Sequence, residues 1–213
     1  SNKSKYMAEQ NQTIPIKIIM VGSMNVGKTS LVTKYATGKI PGQTKSTKNA
    51  SYVSKHKKVN NLNFEIKLWD TAGQEKYKSL TKLYIKDTKI AILVYSIDDE
   101  KSFEELDFWL KYIMEANDNK SITLGVAANK SDLKKGSTIP DEKGKEYAKK
   151  IGAIWKSTSS IKEDGGIEEF IDELFNNYFL NKFDLDAASS THSSSLNKAM
   201  IRYSTVGRNG CCK

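Results

Sequence analysis

A chain of 213 residues, 38% apolar and 28% charged, can bury one core of ordinary size with tails to spare. Its two cysteines, Cys211 and Cys212, are adjacent, and its two histidines, His56 and His192, are far apart. This argues against a disulfide framework and a zinc site, and leads us to expect an intracellular protein. The net charge of +9 fits either an anionic partner or a lysine-rich surface. The basic residues are spread along the chain without interleaved aromatics, so a nucleic-acid partner is not expected.

No apolar run approaches the roughly 20 residues of a membrane helix. Residues 1–13 lack the apolar core of a signal peptide and the Met-Gly start of N-myristoylation, and are expected to be a flexible extension. An apolar run over 15–21 predicts a buried strand, and helical apolar spacing follows from Ser30. Residues 38–44, rich in Gly and Pro, form a loop. Residues 51–54 and 63–69 read as two strands joined tightly at Asn60-Asn61, so one edge strand should run antiparallel. Residues 89–95 are a further buried strand. Ser102-Phe103-Glu104-Glu105 reads as a capping box, opening a helix to about Asn117. A strand over 122–128, a lysine-rich helix from Pro140 to about Ile151, a short strand at 153–155 and an amphipathic helix from about Ile167 to Leu180 complete the alternation. The expected fold is α/β, with a six-stranded, mostly parallel sheet, one antiparallel edge strand and about five helices. Residues 14–180 should form one domain. Residues 181–213, with the low-complexity, serine-rich run at 187–195, should form a flexible tail.

Between the first strand and the first helix stands Gly22-Ser23-Met24-Asn25-Val26-Gly27-Lys28-Thr29, which fits G-x-x-x-x-G-K-[ST]. Glycines let the backbone curl its N–H groups inward, and the helix start adds unpaired N–H groups and a positive dipole end. A lysine then supplies charge for outer phosphates, and a threonine hydroxyl can hold Mg²⁺. Three further segments follow strands. These are Asp70-Thr71-Ala72-Gly73-Gln74-Glu75, Asn129-Lys130-Ser131-Asp132 and Thr158-Ser159-Ser160. Thr47 lies on the first long loop. All are placed at the carboxyl ends of strands, where open α/β sheets bind ligands.

Together these segments resemble the small GTPases of the Ras superfamily, over roughly residues 14–180. The stretch Trp69-Asp70-Thr71-Ala72-Gly73-Gln74-Glu75-Lys76-Tyr77, the strand residues Leu93-Val94-Tyr95-Ser96-Ile97 and the paired cysteines are most similar to the Rab family. An ATP-binding P-loop protein would leave Asn129, Lys130 and Asp132 unexplained. The resemblance implies a switch that binds GTP or GDP with Mg²⁺ and hydrolyses GTP. On that basis Ser23, Asn25, Val26, Gly27, Lys28, Thr29 and Ser30 surround the phosphates. Thr29, Thr47 and Asp70 serve the metal. Gly73 senses the γ-phosphate, and Gln74, with Lys28, is catalytic. Asn129, Lys130, Asp132, Ser159 and Ser160 hold the base, with Ile40 beside it. Implied partners are effectors, exchange factors and activating proteins at the loops around 38–50 and 70–80, with escort and dissociation-inhibitor proteins at the tail. A monomer is expected. Two alternatives remain: a GTP-binding scaffold with little turnover, and a signalling GTPase from another branch of the superfamily.

Some positions depart from the pattern. Met24 replaces a small residue and could crowd an incoming arginine. Ile40 offers no aromatic ring to the base, unless the loop over 38–46 is shifted in register. Lys45, Lys48, Lys55, Lys57 and Lys58 crowd a stretch without acidic residues, which suits an acidic effector or simply a solvated face. Ser160 stands where alanine is usual. The ending Cys211-Cys212-Lys213 does not fit C-a-a-X and instead resembles Rab tails that carry geranylgeranyl groups on both cysteines. The other reading of the pair is two exposed thiols or a vicinal disulfide. Two lipid chains would anchor the protein stably to the cytoplasmic face of endomembranes, in exchange with the cytosol.

Overall fold

Strand β1 (Thr13–Val21) alternates its apolar side chains between two cores, Ile16, Ile18 and Met20 on one face and Ile19 and Val21 on the other. That is the pattern of a strand covered by helices on both sides. The computed structural model describes residues 13–42, 47, 50–59, 62–71, 84–118, 121–136 and 138–189. Helix α1 (Lys28–Thr37) follows β1 and ends at Gly38, whose positive φ of 68° lets its N–H turn back to the Lys34 carbonyl. Strands β2 (Ser51–Val59) and β3 (Leu62–Asp70) pair antiparallel in a register that runs from Ser51 opposite Asp70 to Val59 opposite Leu62. The connecting Asn60 and Asn61 lie outside the described residues.

Strand β4 (Ile90–Ser96) is buried at every position. Helices α2 (Glu100–Glu104) and α3 (Leu106–Ala116) meet at Glu105, and β5 (Thr123–Asn129) leads into a 3₁₀ turn over Ser131–Gly136. Helix α4 (Asp141–Lys150), β6 (Ile154–Ser157) and α5 (Ile167–Ser189) follow. The six strands are ordered β2-β3-β1-β4-β5-β6, all parallel except the β2–β3 pair, as expected. The chain moves to opposite sides of β1 for β3 and for β4. The mouth of the sheet beside β1 is therefore the switch point where such folds bind ligands.

One core packs α1 and α5 on the sheet, with Phe64 meeting Phe175 and Phe179 edge-on at 5.1 and 5.7 Å. The other packs α3 and α4 through Leu106, Trp109, Ile113 and Ala148. No described helix is long and apolar enough to cross a membrane.

Two expectations need correction. The capping box at Ser102-Phe103-Glu104-Glu105 does not form, because the helix begins earlier. Asp99 is the cap and its side chain accepts from the Ser102 N–H, while the Ser102 hydroxyl donates to the Asp99 carbonyl and accepts from the Ser96 N–H. An aspartate at the cap position competes equally well for that role. The last helix also continues past Leu180 to Ser189, because nothing in residues 181–189 breaks a helix.

Helix α4 lies close enough to the sheet that a Cβ on Gly144 would run into the Tyr95 hydroxyl and the Trp155 indole nitrogen. Alanine improves helix propensity by about 1 kcal/mol, but overpacking against the buried Tyr95 and the half-buried Trp155 costs about 1–3 kcal/mol. We therefore expect Gly144→Ala to lower the unfolding free energy, measured by urea denaturation, rather than raise it.

Candidate functional site

The loop after β1 takes its shape from two glycines. Gly22 has φ 147° and packs so tightly on the Val94 carbonyl that a side chain there would collide with it. Gly27, with φ 93°, caps α1 and abuts the side-chain amide of Asn129. Asn25 also lies in the left-handed region at φ 65°, which asparagine tolerates better than most residues. The loop surrounds Lys28, which is 5% exposed and donates to the Gly22 carbonyl at 2.8 Å and the Ser23 carbonyl at 2.7 Å. Burial pulls its ammonium down to about 8, with the Asp70 charge opposing the fall. A buried cation without a full counter-charge is poised for an anion.

Beside it, Thr29 donates to Asp70 Oδ2 at 2.7 Å and lies 2.6 Å from the Thr47 hydroxyl, which is itself 3.3 Å from Asp70 Oδ2. Burial raises the Asp70 carboxyl, against the lowering effect of the Thr29 hydroxyl and Lys28. Its Oδ1 is buried without a hydrogen-bond partner among the described residues. Two hydroxyls and a carboxylate with a spare oxygen are a hard-donor set suited to Mg²⁺.

At the far side of the cleft, Asp132 accepts from the Ser159 hydroxyl at 2.6 Å, which fixes the carboxylate. Asn129 donates to the Val26 carbonyl at 2.7 Å and accepts from Thr158 at 3.2 Å. Lys130 has φ 62°, an uncommon state for a long side chain, and reaches Asp98 at 3.4 Å. Partial burial raises the Asp98 carboxyl, but the Ser96 hydroxyl and Lys130 outweigh it and hold it below its ordinary value.

Among these groups opens one cavity of about 270 Å³, with Met24, Asn25, Gly27, Lys28, Thr29, Ser30, Thr47, Thr71, Asn129, Lys130, Asp132, Ser160 and Ile161 in its wall. Of the expected residues, Ser23, Val26, Asp70 and Ser159 stand behind that wall rather than in it, each bonded to a neighbour named here. Ile40 is outside it and 56% exposed. Gly73, Gln74, Cys211 and Cys212 lie outside the described residues. The sequence reading missed Ile161 and Thr71 in the wall, and the Asp98 partner of Lys130. Only position beside a recognised motif could have pointed to the first two, and no spacing marks Asp98.

A G-x-x-x-x-G-K-[ST] loop after β1, facing polar segments after β5 and β6 across one cavity at the carboxyl ends of the strands, is the arrangement of the P-loop nucleotide-binding class. Residues 17–179 match the family model of the Ras family. Ras-related protein Rab-21 of Geodia cydonium is 36% identical over 160 residues, covering 75% of this chain and 69% of that protein. Rab-21 of Homo sapiens is 36% identical over 158 residues, 74% of this chain and 69% of that protein. Rab-11B of Dictyostelium discoideum is 34% identical over 167 residues, 78% and 75% respectively. The chain belongs to the Rab family of small GTPases, within the Ras superfamily, and its activity is the hydrolysis of GTP.

The depressed Lys28 value has a testable sign. A bound phosphate favours the ammonium, so above about pH 8 nucleotide binding must draw a proton onto Lys28. Calorimetric titration with GDP in buffers of different ionisation heats should show little proton uptake at about pH 7 and uptake approaching one proton near pH 9, with affinity falling over the same interval. Lys28→Arg, charged throughout, should show no such uptake.

Proposed function

We propose that this GTPase is a magnesium-dependent, lipid-anchored switch in vesicle traffic at the cytoplasmic face of endomembranes. One observation supports the metal requirement above the rest. Among the described residues, Asp70 keeps a buried oxygen without a partner beside the Thr29 and Thr47 hydroxyls. Thr29 and Thr47 would ligate Mg²⁺ directly, and Asp70 would act through an ordered water. Bound there, the ion would neutralise charge on the β- and γ-phosphate oxygens.

The remaining roles fall to side chains of this chain. Lys28 holds the outer phosphates, and Gly27 and the start of α1 offer N–H groups to them. Asp132 accepts two N–H donors from the guanine edge and is kept in place by Ser159, while Lys130 and Ile161 flank the base plane. Ser160 contributes its backbone N–H to the guanine carbonyl. Gly73 meets the γ-phosphate and Gln74 orients the attacking water, both by family likeness. With GTP bound, Thr47 and Gly73 are held and the loops around 38–50 and 70–80 are ordered for effectors. Hydrolysis releases them. Exchange factors and activating proteins act at the same loops. Met24, 42% exposed at the phosphate end, narrows the approach of an activating arginine.

The tail reading rests on Cys211 and Cys212. Two geranylgeranyl chains give stable anchoring where one gives only marginal binding. Lys198, Arg202, Arg208 and Lys213 add attraction to anionic lipid. Escort and dissociation-inhibitor proteins would cover the lipid in the cytosol.

Two measurements test the site. Competition of unlabelled nucleotides against bound fluorescent GDP should show a guanine preference on the order of 10⁴-fold over adenine, because adenine leaves the Asp132 carboxylate unpaired. Asp132→Ala should collapse most of that preference. Chelation of Mg²⁺ should speed GDP release by at least 10-fold, roughly the effect of losing one strong charge interaction. Equal release with and without chelator would remove the metal from the reading.

A further inference from the structure

The outer arm of the phosphate loop, Ser23 to Asn25, carries two exposed side chains, Met24 and Asn25. Ser23 is different. Its hydroxyl donates to Oε2 of Glu105, 82 residues away in sequence. Glu105 occupies the break between α2 and α3 and has little freedom there. Its N–H donates to the Lys101 carbonyl at 3.1 Å, and its carbonyl accepts from the Trp109 N–H at 3.2 Å. The flanking Leu106 and Trp109 are buried at 0% and 2% exposure, and Ser102 ties α2 to the end of β4 through Ser96. The carboxylate is thus delivered to the loop from a frame that is fixed on both sides.

The main-chain carbonyl of the same serine accepts from Lys28 at 2.7 Å. Ser23 therefore links two anchors. Glu105 holds its side chain, and the phosphate-binding ammonium holds its backbone. A carboxylate beside a phosphate site is electrostatically unfavourable for binding, so its charge alone gives no reason for it to stand there. A hydrogen bond that sets the loop's conformation does.

We propose that Glu105 is a positioning residue for nucleotide binding. Through Ser23 it fixes the first arm of the phosphate loop, so that the loop carbonyls hold Lys28 aimed at the outer phosphates. It touches no substrate itself. Its effect is on how long nucleotide stays, and it depends on the hydrogen bond rather than on the charge.

The test uses the full chain loaded with N-methylanthraniloyl-GDP and Mg²⁺, and follows release into excess unlabelled GDP. E105A and S23A should each release nucleotide roughly 5- to 10-fold faster, the effect of losing one hydrogen bond of ordinary net strength. The double variant should be no faster than either single, because both remove the same contact. E105Q, which keeps an acceptor oxygen and removes the charge, should release within about twofold of wild type, or more slowly, on the same scale. Thermal unfolding of the nucleotide-bound proteins checks that each variant is folded, and S23A carries the test if E105A is not. Release from E105Q as fast as from E105A would overturn the proposal, as would additive effects in the double variant or unchanged release in both singles.

Discussion

The site depends on one buried charge. Lys28 is almost wholly removed from water, and among the described residues its ammonium is met by two carbonyl oxygens and no ion-paired carboxylate. Dipoles of that kind lower the cost of burying a cation but do not cancel it, and the fall of its pKa to about 8 is the signature of the shortfall. A phosphate supplies the missing charge. The surroundings keep this arrangement in place. The buried end of β1 over residues 18–21 and the fully buried β4 hold the loop, Gly22 seats it against the Val94 carbonyl, and Thr71 donates to the Met20 carbonyl at 2.7 Å to lock β3 beside β1.

Much of this was legible in the sequence, for a physical reason. The phosphate loop is encoded by contiguous residues whose chemistry is local, namely two glycines, a lysine and a hydroxyl. The sheet was legible because strands covered on both faces read as continuous apolar runs, as 90–96 does. The antiparallel edge followed from two strand patterns with almost nothing between them. What failed was competition between near neighbours. Asp99 and Ser102 are both good caps, and sequence alone does not say which one the β4 connection places at the helix start. Contacts across long separations were also invisible. Nothing in Ser23 or Glu105 marks them as partners, and no rule would put Lys130 in a left-handed conformation.

The lysines around Thr47 show what composition leaves out. The five between residues 45 and 58 suit an acidic effector or a solvated face. In β2 the alternation of side chains divides three of them, while Lys45 and Lys48 lie outside the described residues. Lys55 and Lys57 turn toward α5, where they meet Glu168 and Asp172 at 2.5 Å each and lie over the rings of Tyr35 and Phe175. Pairs this exposed contribute little individually to stability. Their effect on charge is plain all the same, since two of the cations face acids of the same chain and are not offered outward. The opposite side of the strand carries Tyr52, Ser54, His56 and Lys58, with one lysine among the four.

The two halves of the cleft are also not independent. Asn129 stands in the segment after β5, yet its amide donates to the Val26 carbonyl in the loop after β1, and its own carbonyl is held by Thr158 from the segment after β6. Gly27 sits so close beneath that amide that a side chain would displace it. One buried amide thus joins all three loops. Each of its bonds replaces a water contact that burial has removed, so breaking one leaves a polar group unsatisfied. The loop after β1 and the segments after β5 and β6 are therefore joined through two hydrogen bonds of one side chain, as a single packed unit.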